Sequence, residues 1–314
     1  MNFFGPAPNT IELTVNSIEL SHVRKSYDRF VAVDDLSFSI GPGTIFGLLG
    51  PNGAGKTSTI RMMIGILLPD AGEVRLFGEP FRRQHLQRIG YLPEERGLYK
   101  KMKVLDHLVL LGQLHGLSAT EAARRARTWC ERLEIAGWLP KKVEELSKGM
   151  QQKIQFAAAL LHEPDFIVMD EPFSGLDPVN TKILKDVILE LRRAGKSILF
   201  STHQMEQVER MCDSILLINR GKAVLEGELR EVKSRFPRHT VQIEYEGDSK
   251  LLERNPAVAS FSRNGRYAEL QLAPGADAQA LLREVAGEVR VNRFELMEPT
   301  LEEIFIETVS KADA

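Results

Sequence analysis

The alternation of apolar and polar positions changes period several times along the chain. Between residues 17 and 50 short runs read as strands, Ile18–Val23, Leu36–Ile40 and Thr44–Leu49, with Gly41-Pro42-Gly43 as the turn before the last of them. After Gly50 the period lengthens: Ile60, Met63, Ile64 and Leu67 recur at spacings of three and four, one face of a helix. The stretch from about 85 to 160 reads as helical. Within it, Ser118-x-x-Glu121 reads as a capping box ahead of the stripe Ala122, Ala126, Trp129, Cys130 and Leu133. Arg124, Arg125 and Arg132 face away from that stripe and read as a solvated face rather than a phosphate patch. Apolar strands at 166–170 (FIVMD) and 198–202 (ILFST) then flank the helical stretch Pro178–Ala194. Strands alternating with helices imply an α/β fold with a largely parallel sheet.

The pattern shifts near Arg235-Phe236-Pro237-Arg238. Beyond it HTVQIEYEG and RYAELQLAP alternate at period two, followed by a helix (Asp277–Val285), a strand (Glu288–Phe294) and a last helix (Thr300–Val309). We expect a loose extension over 1–16, a main domain over 17–235 with a helical subdomain at about 91–162, and a small α+β domain over 236–314.

Composition narrows the function classes. A chain of 314 residues, 43% apolar and 27% charged, has room for one large domain and a small one. A net charge of −2 and a pI near 6.4 argue against a basic nucleic-acid-binding domain, and no nucleic-acid partner is expected. The longest unbroken apolar run, Met62–Leu68, is seven residues, against the roughly 20 of a membrane span. Cys130 and Cys212 stand far apart with no CxxC, which suits a reducing compartment, and the first sixteen residues lack the charged start of a secretory signal. The expectation is a cytoplasmic protein.

Residues 50–57 read GPNGAGKT, a complete G-x-x-x-x-G-K-[ST] placed after a strand and opening a helix. Glycines let the loop Gly50, Pro51, Asn52, Gly53, Ala54 and Gly55 curl so that the N–H groups of its non-proline residues face phosphates, and the following helix start, through Ser58, adds positive potential. Lys56 is expected to reach the β- and γ-phosphates, and Thr57 to present its hydroxyl to Mg²⁺. A dinucleotide fingerprint is absent, because Gly53-Ala54-Gly55 runs into Lys56-Thr57-Ser58. The binding of ATP or GTP follows. At the end of FIVMD, Asp170 and Glu171 lie on the sheet edge that faces a ligand in α/β folds. Adjacent strand residues project to opposite faces, which suits two tasks: Asp170 for the metal shell, Glu171 to orient or deprotonate the attacking water.

These motifs and four others, in one order, resemble the ATPases of the ATP-binding-cassette (ABC) family. LSKGMQQK (146–153) resembles the family's signature loop, SGLD (174–177) its D-loop and STH (201–203) its switch-histidine loop. GYLPEE (90–95) stands where the Q-loop does, and Tyr27 where an aromatic stacks on adenine, although an aromatic there also suits sheet packing. The resemblance spans about 17–230 and implies a P-loop NTPase domain with a mixed sheet and a helical subdomain. It implies ATP and Mg²⁺ as ligands, with Thr57, Asp170 and Glu94 on the metal and Glu171, His203 and Lys56 in catalysis. It also implies a head-to-tail pair of nucleotide-binding domains, in the simplest case two copies of this chain. Ser147, Lys148, Gly149 and Met150 of each copy then meet the other's γ-phosphate, and Asp177 crosses the interface.

Departures from the family pattern fall at Glu94, where glutamine is usual, and at Lys148 and Met150 in place of glycine and glutamine. A positive φ at 148 would be strained for lysine. Tyr91–Lys101, VEELSKGMQQK and the late TLEEIF resemble an exporter branch with an accessory C-terminal domain, whose members pair with a separately encoded permease. This implies a place on the inner face of the cell membrane, with the stretch around Leu98–Leu111 receiving a permease helix. A chromosome-organising ATPase would insert a long coiled coil between Lys56 and Ser147, and a tandem translation factor needs two cassettes. A soluble ABC-type switch without transport is the alternative.

Overall fold

The computed structural model describes residues 15–95, 97–236, 239–248, 250–264 and 267–312. The extension read at 1–16 therefore lies, apart from Val15 and Asn16, outside the described residues. The chain divides into two compact units, 1–227 and 228–314, and the division falls eight residues before the composition shift at 235/236.

The first unit opens with a long hairpin, β1 (Ile18–Tyr27) and β2 (Phe30–Ile40), pairing antiparallel from Ile18↔Ile40 to Tyr27↔Phe30. Both strands run further than the apolar pattern indicates, because their outer halves are only partly buried and shift register. Next come β3 (Ile45–Leu49), helix α1 (Lys56–Met63), β4 (Ala71–Leu76), β5 (Glu79–Pro80) and β6 (Ile89–Leu92). β1, β2, β4 and β5 form one sheet in the order β2-β1-β4-β5.

Helices α2 (Val104–Leu114), α3 (Ala119–Arg132) and α4 (Lys148–Leu160) follow. The chain then alternates β7 (Phe166–Asp170), α5 (Pro178–Arg193), β8 (Ser197–Thr202), α6 (Met205–Met211), β9 (Ser214–Asn219) and β10 (Lys222–Glu228). The second sheet has the order β10-β9-β3-β8-β7-β6, with β6, β7, β8, β3 and β9 all parallel. β3, β7 and β8 are buried along their whole length, as strands covered on both faces must be. Ile60, Met62 and Met63 of α1 share one core with Ile18, Leu20 and Ile40 of the first sheet and Phe46, Phe166 and Leu199 of the second. That shared core fixes the start of α1 at the C-terminal edge of β3, beside the ends of β7 and β8.

The Ser118 hydroxyl accepts the amide of Glu121, as expected of an N-cap. The reciprocal half of the capping box is absent, since the Glu121 carboxylate is taken by Arg124 and Arg125 at 2.6 Å each. Arg132 pairs with Glu190. With these partners the arginines form a paired face, not an anion site. Cys130 and Cys212 are buried free thiols, and burial pushes the Cys130 thiol up to about 12.

In the second unit, α7 (Leu229–Ser234) precedes β11 (Thr240–Glu246), α8 (Lys250–Glu253), β12 (Val258–Asn264), β13 (Tyr267–Leu272), α9 (Ala278–Glu288), β14 (Arg290–Met297) and α10 (Leu301–Ala312). From β11 to β14 the order is βαββαβ, with an antiparallel sheet ordered β12-β13-β11-β14, a split βαβ arrangement. Alternate residues Val241, Ile243, Ala268, Leu270 and Leu272 face one way and pack with Leu281 and Val285 of α9. Period-two strands with one polar face are what a sheet covered on one side requires.

Candidate functional site

The loop 50–55 turns between β3 and α1 through three glycines with positive φ: Gly50 (150°), Gly53 (79°) and Gly55 (110°). At Gly55 a Cβ would lie 2.5 Å from the carbonyl oxygen of Ala32, so both conformation and space demand glycine. Lys56 is buried at 7% exposure and curls back on the loop, donating to the carbonyls of Gly50 at 2.7 Å and Pro51 at 3.1 Å. Burial pulls its pKa below the usual lysine range, opposed by the nearby charges of Glu171, Asp170 and Glu94. A desolvated ammonium held only by loop carbonyls can exchange them for the oxygens of an incoming polyanion.

A cleft of about 410 Å³ lies over this loop. Asn52, Gly53, Gly55, Lys56, Thr57 and Ser58 line its floor, Asp170, Glu171 and Glu94 one side, and Tyr27, Phe30 and Ala32 another. Gly50, Pro51 and Ala54 lie in the same turn outside that lining; Ala54 is buried and its carbonyl accepts the amide of Gly221. Thr57 Oγ1 donates to Asp170 Oδ2 at 3.0 Å, although the residues are 113 positions apart. Tyr27 and Phe30, at the end of the first hairpin, are 42% and 62% exposed; the Tyr27 hydroxyl is 3.4 Å from Ser58 Oγ. Phe30 was not singled out by the motifs, yet its pairing opposite Tyr27 places it beside the same cleft.

Glu171 departs from ideal strand geometry. Its φ is +50°, a left-handed conformation that costs a non-glycine residue about 1–2 kcal/mol. Its amide donates to both the carbonyl and the hydroxyl of Ser201 at 3.2 Å, while Ser201 Oγ also contacts Asp170 Oδ1. The Glu171 carboxylate, buried, accepts His203 Nδ1 at 2.8 Å, the His203 amide at 3.1 Å and Thr202 Oγ1 at 3.3 Å. Because a carboxylate only accepts, Nδ1 of His203 carries a proton in this contact. The strand-end acids and residues 201–203 thus form one connected set.

Ser147–Met150 and Asp177 do not line this cleft. Ser147 caps α4, its hydroxyl accepting the amide of Met150 at 3.3 Å, and Ser147 and Lys148 are exposed. Lys148 is the first residue of the helix with an ordinary negative φ, so the strain expected there does not arise. Gly149 has room for a Cβ, the nearest atom being Leu176 Cδ2 at 3.5 Å. Asp177 caps α5 and accepts the amide of Asn180 at 2.9 Å; those hydrogen bonds hold its carboxyl below the usual range. Glu94 is exposed and lines both the main cleft and an adjoining one of about 360 Å³. No helix among the described residues is long and apolar enough to cross a membrane.

Comparison with known proteins shows the family. Residues 33–174 match the ABC transporter family, and residues 227–309 match the domain described as ATP-binding protein DrrA1-3-like, C-terminal domain. The chain is 44% identical over 292 residues to the ABC transporter ATP-binding protein YhaQ of Bacillus subtilis, covering 93% of this chain and 98% of that one. It is 40% identical over 214 residues to Nod factor export ATP-binding protein I of Paraburkholderia xenovorans, covering 67% and 70%. The solved structure of an ATP binding subunit of an ABC transporter superimposes with a TM-score of 0.65 at 31% identity, over 70% of this chain and 92% of that one. The chain belongs to the ABC transporter family as an ATP-binding subunit, carrying a DrrA1-3-like domain at its C-terminal end.

Proposed function

We propose that the chain hydrolyses ATP to ADP and phosphate, and that this cycle drives a separately encoded membrane permease in the export direction. The observation that carries the reading is the meeting of Thr57, Asp170, Glu171 and His203 in one hydrogen-bonded set beside a glycine loop with a buried lysine. In the proposed reaction the phosphates accept N–H groups of the loop, and Lys56 exchanges the Gly50 and Pro51 carbonyls for β- and γ-phosphate oxygens. Glu171 orients a water and takes its proton as the water oxygen bonds to the γ-phosphorus. The bond from that phosphorus to the β–γ bridging oxygen breaks, and ADP leaves with the electron pair.

His203 has two partners to serve. A neutral ring donating Nδ1–H to Glu171 has no proton on Nε2, whereas a phosphate oxygen only accepts. His203 therefore contacts both groups only as the imidazolium, or it releases Glu171 when nucleotide arrives. The Thr57 hydroxyl and the Asp170 carboxylate, in contact, and Glu94 on the same cleft are an oxygen set that fits Mg²⁺. Among the described residues no group of three His, Cys, Asp or Glu side chains is placed to hold a metal ion, so the remaining ligands of Mg²⁺ would be phosphate and water. When bound, Mg²⁺ neutralises charge on the β- and γ-phosphate oxygens.

The exposed Ser147 and Lys148, outside their own chain's cleft, support use of the signature loop on a second subunit's nucleotide, in the simplest case that of a second copy. Asp177 would then lie at the interface. The name of the Nod factor export relative supports the exporter reading. An apolar groove of about 310 Å³, with Ile64, Ile66, Leu86 and Leu111 among its walls, supports docking of an amphipathic permease helix beside the stretch Leu98–Leu111. Tyr99, in that stretch, is 55% exposed; substituting Tyr99 or Met102 is expected to uncouple transport and spare basal hydrolysis.

The test is affinity purification of tagged Glu171→Gln protein from detergent-solubilised membranes with ATP and Mg²⁺. Stoichiometric recovery of an integral membrane protein supports transport. Recovery of a soluble ATP-dependent dimer alone, at full yield, supports instead a switch without transport.

A further inference from the structure

Ser201, two residues before His203, is fully buried on β8 and stands opposite Asp170 of β7 in the parallel register. Its single hydroxyl has two partners. The Glu171 amide approaches Oγ at 3.2 Å, and Oγ in turn contacts Asp170 Oδ1. The direction of these bonds is fixed by chemistry: an amide only donates and an ionised carboxylate only accepts, so the hydroxyl hydrogen points to Asp170 and a lone pair to Glu171.

Two consequences follow. With Oδ1 engaged, Asp170 offers Oδ2 to Thr57, at 3.0 Å, and toward the cleft. With its amide held by Ser201 Oγ and by the Ser201 carbonyl, Glu171 keeps the left-handed backbone that turns its carboxylate to Thr202 and His203. Without the hydroxyl both restraints weaken at once, and the two neighbouring acids lose the link that keeps them on separate tasks.

We propose that Ser201 is a positioning residue of the hydrolytic centre, one hydroxyl that sets both the rotamer of the metal-facing Asp170 and the backbone of the water-facing Glu171. The inference rests on reading the cleft as an ATPase site. Ser201 is not among the residues that line the cleft; it acts through the two acids.

The experiment measures binding of a fluorescent N-methylanthraniloyl ATP with and without Mg²⁺, and in parallel phosphate release, for the full chain and three variants. Ser201→Ala is expected to bind the nucleotide in EDTA within twofold of the parent. Its half-saturating Mg²⁺ concentration for metal-enhanced binding rises about 10-fold and its turnover falls about 10–100-fold, as for other groups that orient metal-facing carboxylates. Ser201→Cys, close in size but a weak donor, behaves like the alanine variant, and Ser201→Thr, which keeps the hydroxyl, restores the Mg²⁺ dependence.

An unchanged Mg²⁺ dependence in both the alanine and cysteine variants overturns the proposal. So does an equal loss of binding in EDTA, which marks a merely structural role. Absence of ATP turnover by the parent chain overturns the ATPase reading itself, and the parent measurement keeps that failure separate from the failure of the Ser201 role.

Discussion

Gln152, on the second turn of α4, donates its side-chain amide to the carbonyl of Pro172 at 3.2 Å, one residue past Glu171. Both groups are buried, so α4 and the loop carrying Glu171 are tied by a bond that water does not replace. Gln155, one turn on, donates to the carbonyl of Glu95 beside Glu94. α4 thus holds both loops that border the cleft.

Gln152→Leu leaves the Pro172 carbonyl without its partner. The expected loss is about 1–3 kcal/mol of unfolding free energy in the first unit. A drop in turnover larger than the drop in folded fraction accompanies it, because the loop bearing Glu171 is no longer tied to α4. Urea denaturation alongside a phosphate-release assay checks both.

Lys56→Ala is expected to weaken ATP binding about 10–100-fold, the scale of one or two charge-assisted hydrogen bonds. The pH dependence has a definite sign. Burial lowers the pKa of Lys56, so in the free protein the ammonium is lost at a lower pH than an ordinary lysine. ATP affinity therefore declines as pH rises through that lowered value, before 10.5 is reached, and the lysine-dependent part of the decline is absent from the alanine variant. Isothermal titration across alkaline pH reads this directly.

At the other end of the cleft, Tyr27 and Phe30 offer exposed aromatic faces. Stacking of a base on an aromatic ring contributes about 1–3 kcal/mol and does not discriminate strongly among bases. Tyr27→Ala and Phe30→Ala should each lower ATP affinity about 5–10-fold or more, and lower GTP affinity in step. Parallel titrations with the two nucleotides check it; loss confined to ATP would point to edge recognition of adenine instead.

The reading of the sequence and the structure diverge in instructive places. GPNGAGKT and FIVMDE are legible because a phosphate loop and a buried strand that ends in acids need contiguous residues of fixed type. Phe30 belongs to the same neighbourhood yet carries no local signal, and Gln152 and Ser201 lie inside LSKGMQQK and STH, where nothing local shows what they bind. Their partners are Tyr27, the Pro172 carbonyl and Asp170, brought close only by hairpin pairing, helix packing and parallel strand register. Lys148 shows the converse. A glycine in a family pattern suggests a positive φ, but here Ser147 caps the helix and Lys148 opens it in ordinary helical geometry. Glu121 looks like half of a capping box because the spacing is right, and it is claimed instead by arginines three and four residues on.

His162 gives the first unit a pH-sensitive point. Its Nε2 is 2.9 Å from the Ile89 carbonyl, its buried Nδ1 has no partner among the described residues, and its ring stacks on His115 at 3.8 Å. Burial, with His115, Arg125 and Lys196 nearby, pushes its pKa down to about 4. Above pH 6.5 both folded and unfolded forms are neutral at this site. Between 6.5 and about 4 the unfolded chain takes up a proton that the folded one refuses, so stability falls as pH falls, by about 3 kcal/mol at most. His162→Gln should flatten that part of the profile, as measured by denaturation at pH 7 and pH 5.

The central claim is that Glu171 directs water at ATP held by the glycine loop. Phosphate release by the purified chain, with ATP and Mg²⁺ and beside Glu171→Gln, tests it most directly. The account expects steady turnover by the parent and a fall of at least about 100-fold in the variant with ATP affinity retained, the scale of lost general-base help. Turnover by Glu171→Gln at the parent's rate would contradict it.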